Sequence, residues 1–72
     1  MKYQVLGHRR RIQKGDRPYD VVCEFDNLEQ LYFMMDKADN RIYDEVLVID
    51  TYTNEAVASK ELEQPLARRL KK

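Results

Sequence analysis

His8 and Cys23 are the two side chains of this 72-residue chain with the conventional repertoire of a neutral-pH base, nucleophile or soft metal ligand. Together they fall short of the three or four ligands a Cys/His metal site needs, and a single cysteine excludes an intramolecular disulfide. Cys23 lies in "YDVVCEF" (19–25) close to Glu24 and Asp26, whose charge opposes the thiolate that a nucleophile requires. Its expected role is that of a small buried hydrophobe. No nucleophile carries a sequence signature pairing it with His8.

Carboxylate chemistry fares no better. A hydrolytic pair needs two acids about 5–10 Å apart. Asp20 and Glu24 would sit roughly 13 Å apart on one strand, and Asp44 and Glu45, being adjacent, point to opposite faces. Asp36, Asp39, Asn40 and Asp44 miss the spacing of a calcium loop. Two glycines, Gly7 and Gly15, make no phosphate-cradling loop. The expectation is a protein with no catalytic residue, no metal and no cofactor, and the enzyme reading, a small hydrolase, is set aside.

Two features remain that can bind something. The first is "HRRRIQKGDR" (8–17), which places Arg9, Arg10, Arg11, Lys14 and Arg17 within ten residues of a chain whose formal net charge is zero. Joined by Arg68, Arg69, Lys71 and Lys72, these cations would suit a nucleic-acid backbone, where phosphate contacts dominate affinity. They would equally suit the chain's own acids. Residues 1–17 hold six Lys/Arg and one acid, residues 18–63 three and twelve, and residues 64–72 four and none. Cross-strand pairing of Asp20, Glu24 or Asp26 with the arginines is the preferred expectation.

The second feature is Phe33 with Met34. On a helix running from residue 26, Phe33 falls roughly 140° from Leu28 and shares its side with Glu29, Gln30 and Lys37. An aromatic residue there is exposed, covered by Leu66 and Leu70 of the chain's own tail, or buried against a partner.

The elements that carry these residues follow from periodicity. "YDVVCEF" alternates apolar and polar residues as a half-buried strand does. "KYQVLGHRRRI" (2–12) reads as the strand before it, with "QKGDRP" as the turn and Gly15 taking positive φ; Gly7 marks an expected bulge. "DNLEQLYFMMDKADN" (26–40) reads as a helix with Asp26 as N-cap, Glu29 completing a capping box, and Asn40 ending it in the left-handed region. Its core stripe would be Leu28, Leu31, Tyr32 and Met35. "RIYDEVLVIDTYTNEAVASKEL" (41–62) reads as a second hairpin with Asn54 at positive φ. "VLVI" is apolar on both faces, which suits a central strand covered on both sides or at a subunit contact.

The order β-β-α-β-β predicts a small α+β domain over residues 1–63, a four-stranded sheet with the helix on one face, and a basic tail or short helix over 64–72. A chain this short buries only about 60% of the surface its unfolded form exposes, so a partner is a natural reinforcement. No apolar run approaches the ~20 residues that span a bilayer, and one unpaired cysteine suits the cytoplasm. The functional expectation is a small non-catalytic binding, regulatory or accessory module of the kind phages and plasmids often carry. It would dock onto a protein or onto itself through Phe33 and Met34, with Tyr32, Glu29 and Lys37 around them. Nucleic-acid binding through Arg9, Arg10, Arg11, Lys14, Arg17, Arg68 and Arg69 is the alternative.

Overall fold

Alternation, turn residues and apolar content place the strands well: β1 (Tyr3–Arg9), β2 (Tyr19–Phe25), β3 (Tyr43–Asp50) and β4 (Glu55–Glu61) form, with a 3-10 turn (Leu28–Gln30) leading into helix α1 (Leu31–Met35) between β2 and β3. The structure, a computed structural model, describes residues 2–63, and the expected tail over 64–72 lies outside the described residues. The four strands make one sheet in the order β2-β1-β3-β4. Both neighbours of β1 run antiparallel to it, so β2 and β3 are parallel to each other with β1 between them. The helical connection carries the chain from one side of β1 to the other.

The core lies between the sheet and α1. Val5, Val46 and Val48 are wholly buried, and Phe25 and Met35 are each 2% exposed. Burying side chains of this size is worth about 1.5–3 kcal/mol apiece. The Tyr3 ring stacks on Phe25 with centroids 5.2 Å apart, and Leu31, Met34 and Leu62 close the margin of the cluster.

The helix is shorter than its periodicity predicts, and its phase differs. Asn27 rather than Asp26 is the N-cap, its side chain accepting the Glu29 N–H at 2.9 Å. Asp26 instead accepts the backbone N–H of Lys2 at 2.8 Å, which ties the end of β2 to the start of β1. Because the first turn is 3-10, with three residues per turn rather than 3.6, the phase of the stripe shifts. Leu28 is 50% and Tyr32 74% exposed, whereas Leu31, Met34, Met35 and Ala38 face the sheet. The i, i+3, i+4, i+7 pattern holds but starts three residues later than predicted. Asn40 does not end the helix in the left-handed region. Lys37 and Ala38 donate to Met34 and Met35 three residues back, a tightened last turn.

The turns match their residue types. Gly15 has φ 91° and Asn54 φ 62°. Tyr52 N–H donates to Asp50 Oδ1 at 2.9 Å in the β3–β4 turn, and Thr51 Oγ1 donates to the Lys2 carbonyl at 2.8 Å. Three bulges interrupt the ladders, with Val22 extra in β2, Val57 extra in β4, and Asp44 extra in β3 opposite the end of β1. Gly7 stays in register between two of them. A Cβ there would stand 2.6 Å from the Tyr43 ring, so the glycine is required by the ring that lies across it.

That close approach predicts a mutational outcome. Gly7→Ala must displace the Tyr43 ring, and overpacking of this kind costs about 1–3 kcal/mol. Urea denaturation should show that loss, and an unchanged midpoint would mean that Tyr43 does not lie over Gly7.

Candidate functional site

β1 ends at Arg9, so the arginine run divides where the strand stops rather than alternating along it to Ile12. Each arginine then has a different fate. Gly7 is registered with Asp20, which places the Asp20 carboxylate beside the end of β1. Arg9 takes it in a two-point grip, with Nε 2.9 Å from Oδ2 and Nη2 3.0 Å from Oδ1. Asp16, from the turn between the strands, stands 3.7 Å from Nη1. The Tyr43 hydroxyl donates to the same Asp20 Oδ2 at 3.1 Å, reaching it because its ring lies flat over Gly7. Three strands are thereby joined through one carboxylate.

The electrostatics follow from these bonds. The Arg9 hydrogen bond, with help from Tyr43 and against desolvation, holds Asp20 below the ordinary carboxylate range. Burial first and the bond to Asp20 second push the Tyr43 phenol up. Fork-on-carboxylate pairs of this geometry are the stronger kind of ion pair.

Arg10 is held by carbonyls, its Nε donating to Asn40 O at 2.8 Å and its Nη2 to Leu62 O at 3.0 Å. Arg41 folds back on Asp39, whose carboxylate also accepts the Arg41 backbone N–H at 2.8 Å and is held below its usual range by it. Arg11, Lys14 and Arg17 form no ion pair within 4.0 Å with any described residue. Arg9, Arg10, Arg11 and Arg41 border an open depression of about 380 Å³ floored by Ile42 and Tyr43. The expected pairing of cations with acids is thus realised for Arg9 and Asp20. The expected partners Glu24 and Asp26 are instead bonded to Gln4 and Lys2. Arg68 and Arg69 lie outside the described residues.

On the other face of the sheet at the same end, His8 Nδ1 stands 2.9 Å from Asp44 Oδ1. An ionised carboxylate only accepts, so the ring donates from Nδ1. The bulge at Asp44 creates this contact, and the ring also meets Tyr19 edge-on at 5.0 Å. Glu45 and Glu61 face each other across β3 and β4 and share a depression of about 390 Å³ with His8 and Asp44. Among the described residues no three His, Cys, Asp or Glu side chains converge to hold a metal ion. Cys23 is half-buried, with its thiol pushed up by burial and Sγ 3.7 Å from the Met34 carbonyl.

The helix presents the other candidate surface. Phe33 is 65% exposed, with Lys37 Nζ 4.9 Å from its ring centroid, a cation–π contact. Met34 packs against the core, so the two residues expected to act together lie on different sides of the helix. Tyr32, Leu28 and Glu29 are exposed as well. Sequence periodicity puts Leu28 and Tyr32 in the core stripe because it assumes an α-helical first turn, although Tyr32 is also expected at the edge of the contact surface. The missed signal was "DN" ahead of "LEQ", where Asn27 can cap a turn that begins one residue later.

No family model, curated protein or solved structure matches the chain, and no described helix is long and apolar enough to cross a membrane.

The Arg9–Asp20 pair predicts a pH dependence. Asp20 ordinarily titrates near ~3.9 when unfolded, and its folded value is lower. The unfolded state therefore binds the proton first, and the pair's contribution is present above that range and lost as pH falls through the folded value. Wild type should melt above Asp20→Asn at pH 7, with the gap constant down to about pH 5 and closing below about pH 4. A gap independent of pH would mean that the carboxylate's charge is not what Arg9 uses.

Proposed function

We propose that this chain is a small non-catalytic docking module that binds a protein partner through the outer side of its helix. The observation that carries the reading is the grouping of Leu28, Tyr32 and Phe33 at 50%, 74% and 65% exposure on one short segment. Tyr32 and Phe33 are consecutive in α1, and Leu28 lies in the 3-10 turn that leads into it. Aromatic side chains supply large contact area at low entropic cost, and they dominate interface hot spots. Lys37 and Glu29 border the patch with opposite charges, the arrangement of a polar rim around an apolar centre. With one unpaired cysteine, a reducing compartment such as the cytoplasm is the setting we assign.

A second reading rests on Arg11, Lys14 and Arg17, the cations of the β1–β2 connection that form no ion pair with described residues. They would suit a phosphate backbone. The open sheet face carries Glu24, Glu45 and Glu61, which would repel it, so any nucleic acid would have to approach from the tip of the hairpin.

A Tyr32→Asp/Phe33→Asp variant separates these readings. Both side chains are exposed, so the variant should keep its circular dichroism and melt within about 0.5 kcal/mol of wild type, while losing the partners that wild type retains on a column. Unfolding of the variant would place these aromatics in the core. Affinity for duplex or single-stranded nucleic acid that falls steeply with salt and collapses in Arg11→Ala/Arg17→Ala would replace the lead reading with the second.

A further inference from the structure

The sheet has two faces, and the described helix covers one. Pairing registers arrange the other face as three rows across the strands. At the His8 end the row reads Tyr19, His8, Glu45, Glu61; in the middle Val21, Leu6, Leu47, Ser59; at the far end Glu24, Gln4, Ile49, Ala56. Leu6, Leu47 and Ile49 are half-buried, while Val21 is 55% and Tyr19 37% exposed. None of the five belongs to the core cluster or packs against it. β3 is therefore apolar on a face that no described element covers. The face has no Lys or Arg, and its carboxylates stand at the two ends of the strands.

We propose that this face is a homodimer interface, on which a second copy of the chain lays the same face in a two-layer sheet sandwich. Three observations select a second copy. First, the apolar middle row is self-complementary, whereas the far row sets Gln4 over Ile49 and Glu24 over Ala56 of the second copy. A two-fold axis along the strands between β1 and β3 reverses the strand order of the second copy. Leu6 then lies over Leu47 of the second copy, the large Val21 over its small Ser59, and His8 over its Glu45. Sheets stack in this manner about 10 Å apart with strands within roughly 30° of alignment.

Second, the dimensions suit a weak dimer, at about half a standard interface. Four strands ~4.8 Å apart and seven residues long at ~3.3 Å each give a face of roughly 400 Å² in projection, within a factor of two of the ~800 Å² per partner of a standard interface. Third, the edges are blunted. Each edge strand carries a bulge, at Val22 in β2 and at Val57 in β4, and bulged edges resist edge-to-edge pairing. Association is thereby directed to the flat face. This surface is opposite the helix patch and independent of the docking function proposed for it.

Sedimentation equilibrium of the full chain tests the proposal. The expected result is a mass near twice the 8.7 kDa of the chain at neutral pH and tens of micromolar protein. Val21→Arg, at an exposed position that leaves the fold intact, should weaken the dimer at least tenfold, as should Leu47→Glu where it still folds. His8→Glu, which sets like charges across the two-fold axis, should weaken it as well. Phe33→Asp, on the other side of the molecule, should leave the mass unchanged. A monomer at 1 mM overturns the proposal, including one that dimerises only when Leu66 and Leu70 are both changed to Glu, the signature of the chain's own tail on this face. A dimer insensitive to Val21→Arg but lost in Phe33→Asp overturns it too, by assigning self-association to the helix.

Discussion

One carboxylate, that of Asp20, joins three strands. Arg9 of β1 grips it with two nitrogens and the Tyr43 hydroxyl of β3 donates to it, while β2 supplies the Asp20 backbone itself. The geometry depends on Gly7, because a side chain there would collide with the Tyr43 ring and lift the hydroxyl away. It depends equally on the bulge at Asp44, which brings Tyr43 rather than Asp44 opposite Arg9. The same bulge delivers Asp44 to His8 on the opposite face. A single extra residue in β3 thus organises polar contacts on both sides of the sheet. Arg9 and Asp20 are only partly exposed, at 35% and 28%, so their attraction is screened less than that of a fully solvated pair.

The apolar side of the account rests on the same interior strands. β1 and β3 present Val5, Val46 and Val48 to the helix and Leu6, Leu47 and Ile49 away from it. A domain of this size gains little from one-sided burial, and a helical segment of eight residues, three of them in a 3-10 turn, covers only part of the sheet. Among the described residues, the outer helix and the far side of the sheet both carry apolar side chains, and contacts beyond the single chain would add burial there.

Much of the architecture was legible in the residues. Alternation located β2, turn residues and apolar content placed β1 and β4, Gly15 and Asn54 announced their positive φ, and the doubly apolar "VLVI" identified an interior strand. The helix was less legible because Asp26 and Asn27 are both good caps, and a choice between neighbours rotates every side chain that follows. Lys2 decides it by taking the Asp26 carboxylate, a contact between residues 24 apart that local pattern does not reveal. The charge pairing was legible in kind but not in extent. That a basic block meets an acidic one follows from segregation along the chain. That Asp20 is the partner, and that Glu24 is spent on Gln4, follows from a register which bulges shift by one residue and which alternation alone does not give.

The claim on which this depends is that Arg9 and Asp20 act as one unit holding β1 to its neighbour. A double-mutant cycle with Arg9→Gln and Asp20→Asn, read by urea denaturation at pH 7, measures that coupling directly. The account predicts that the double variant is about as stable as either single one, because each change alone already abolishes the pair. Losses that simply add would show two residues acting independently, and the joint at the end of β1 would have to be assigned to something other than this ion pair.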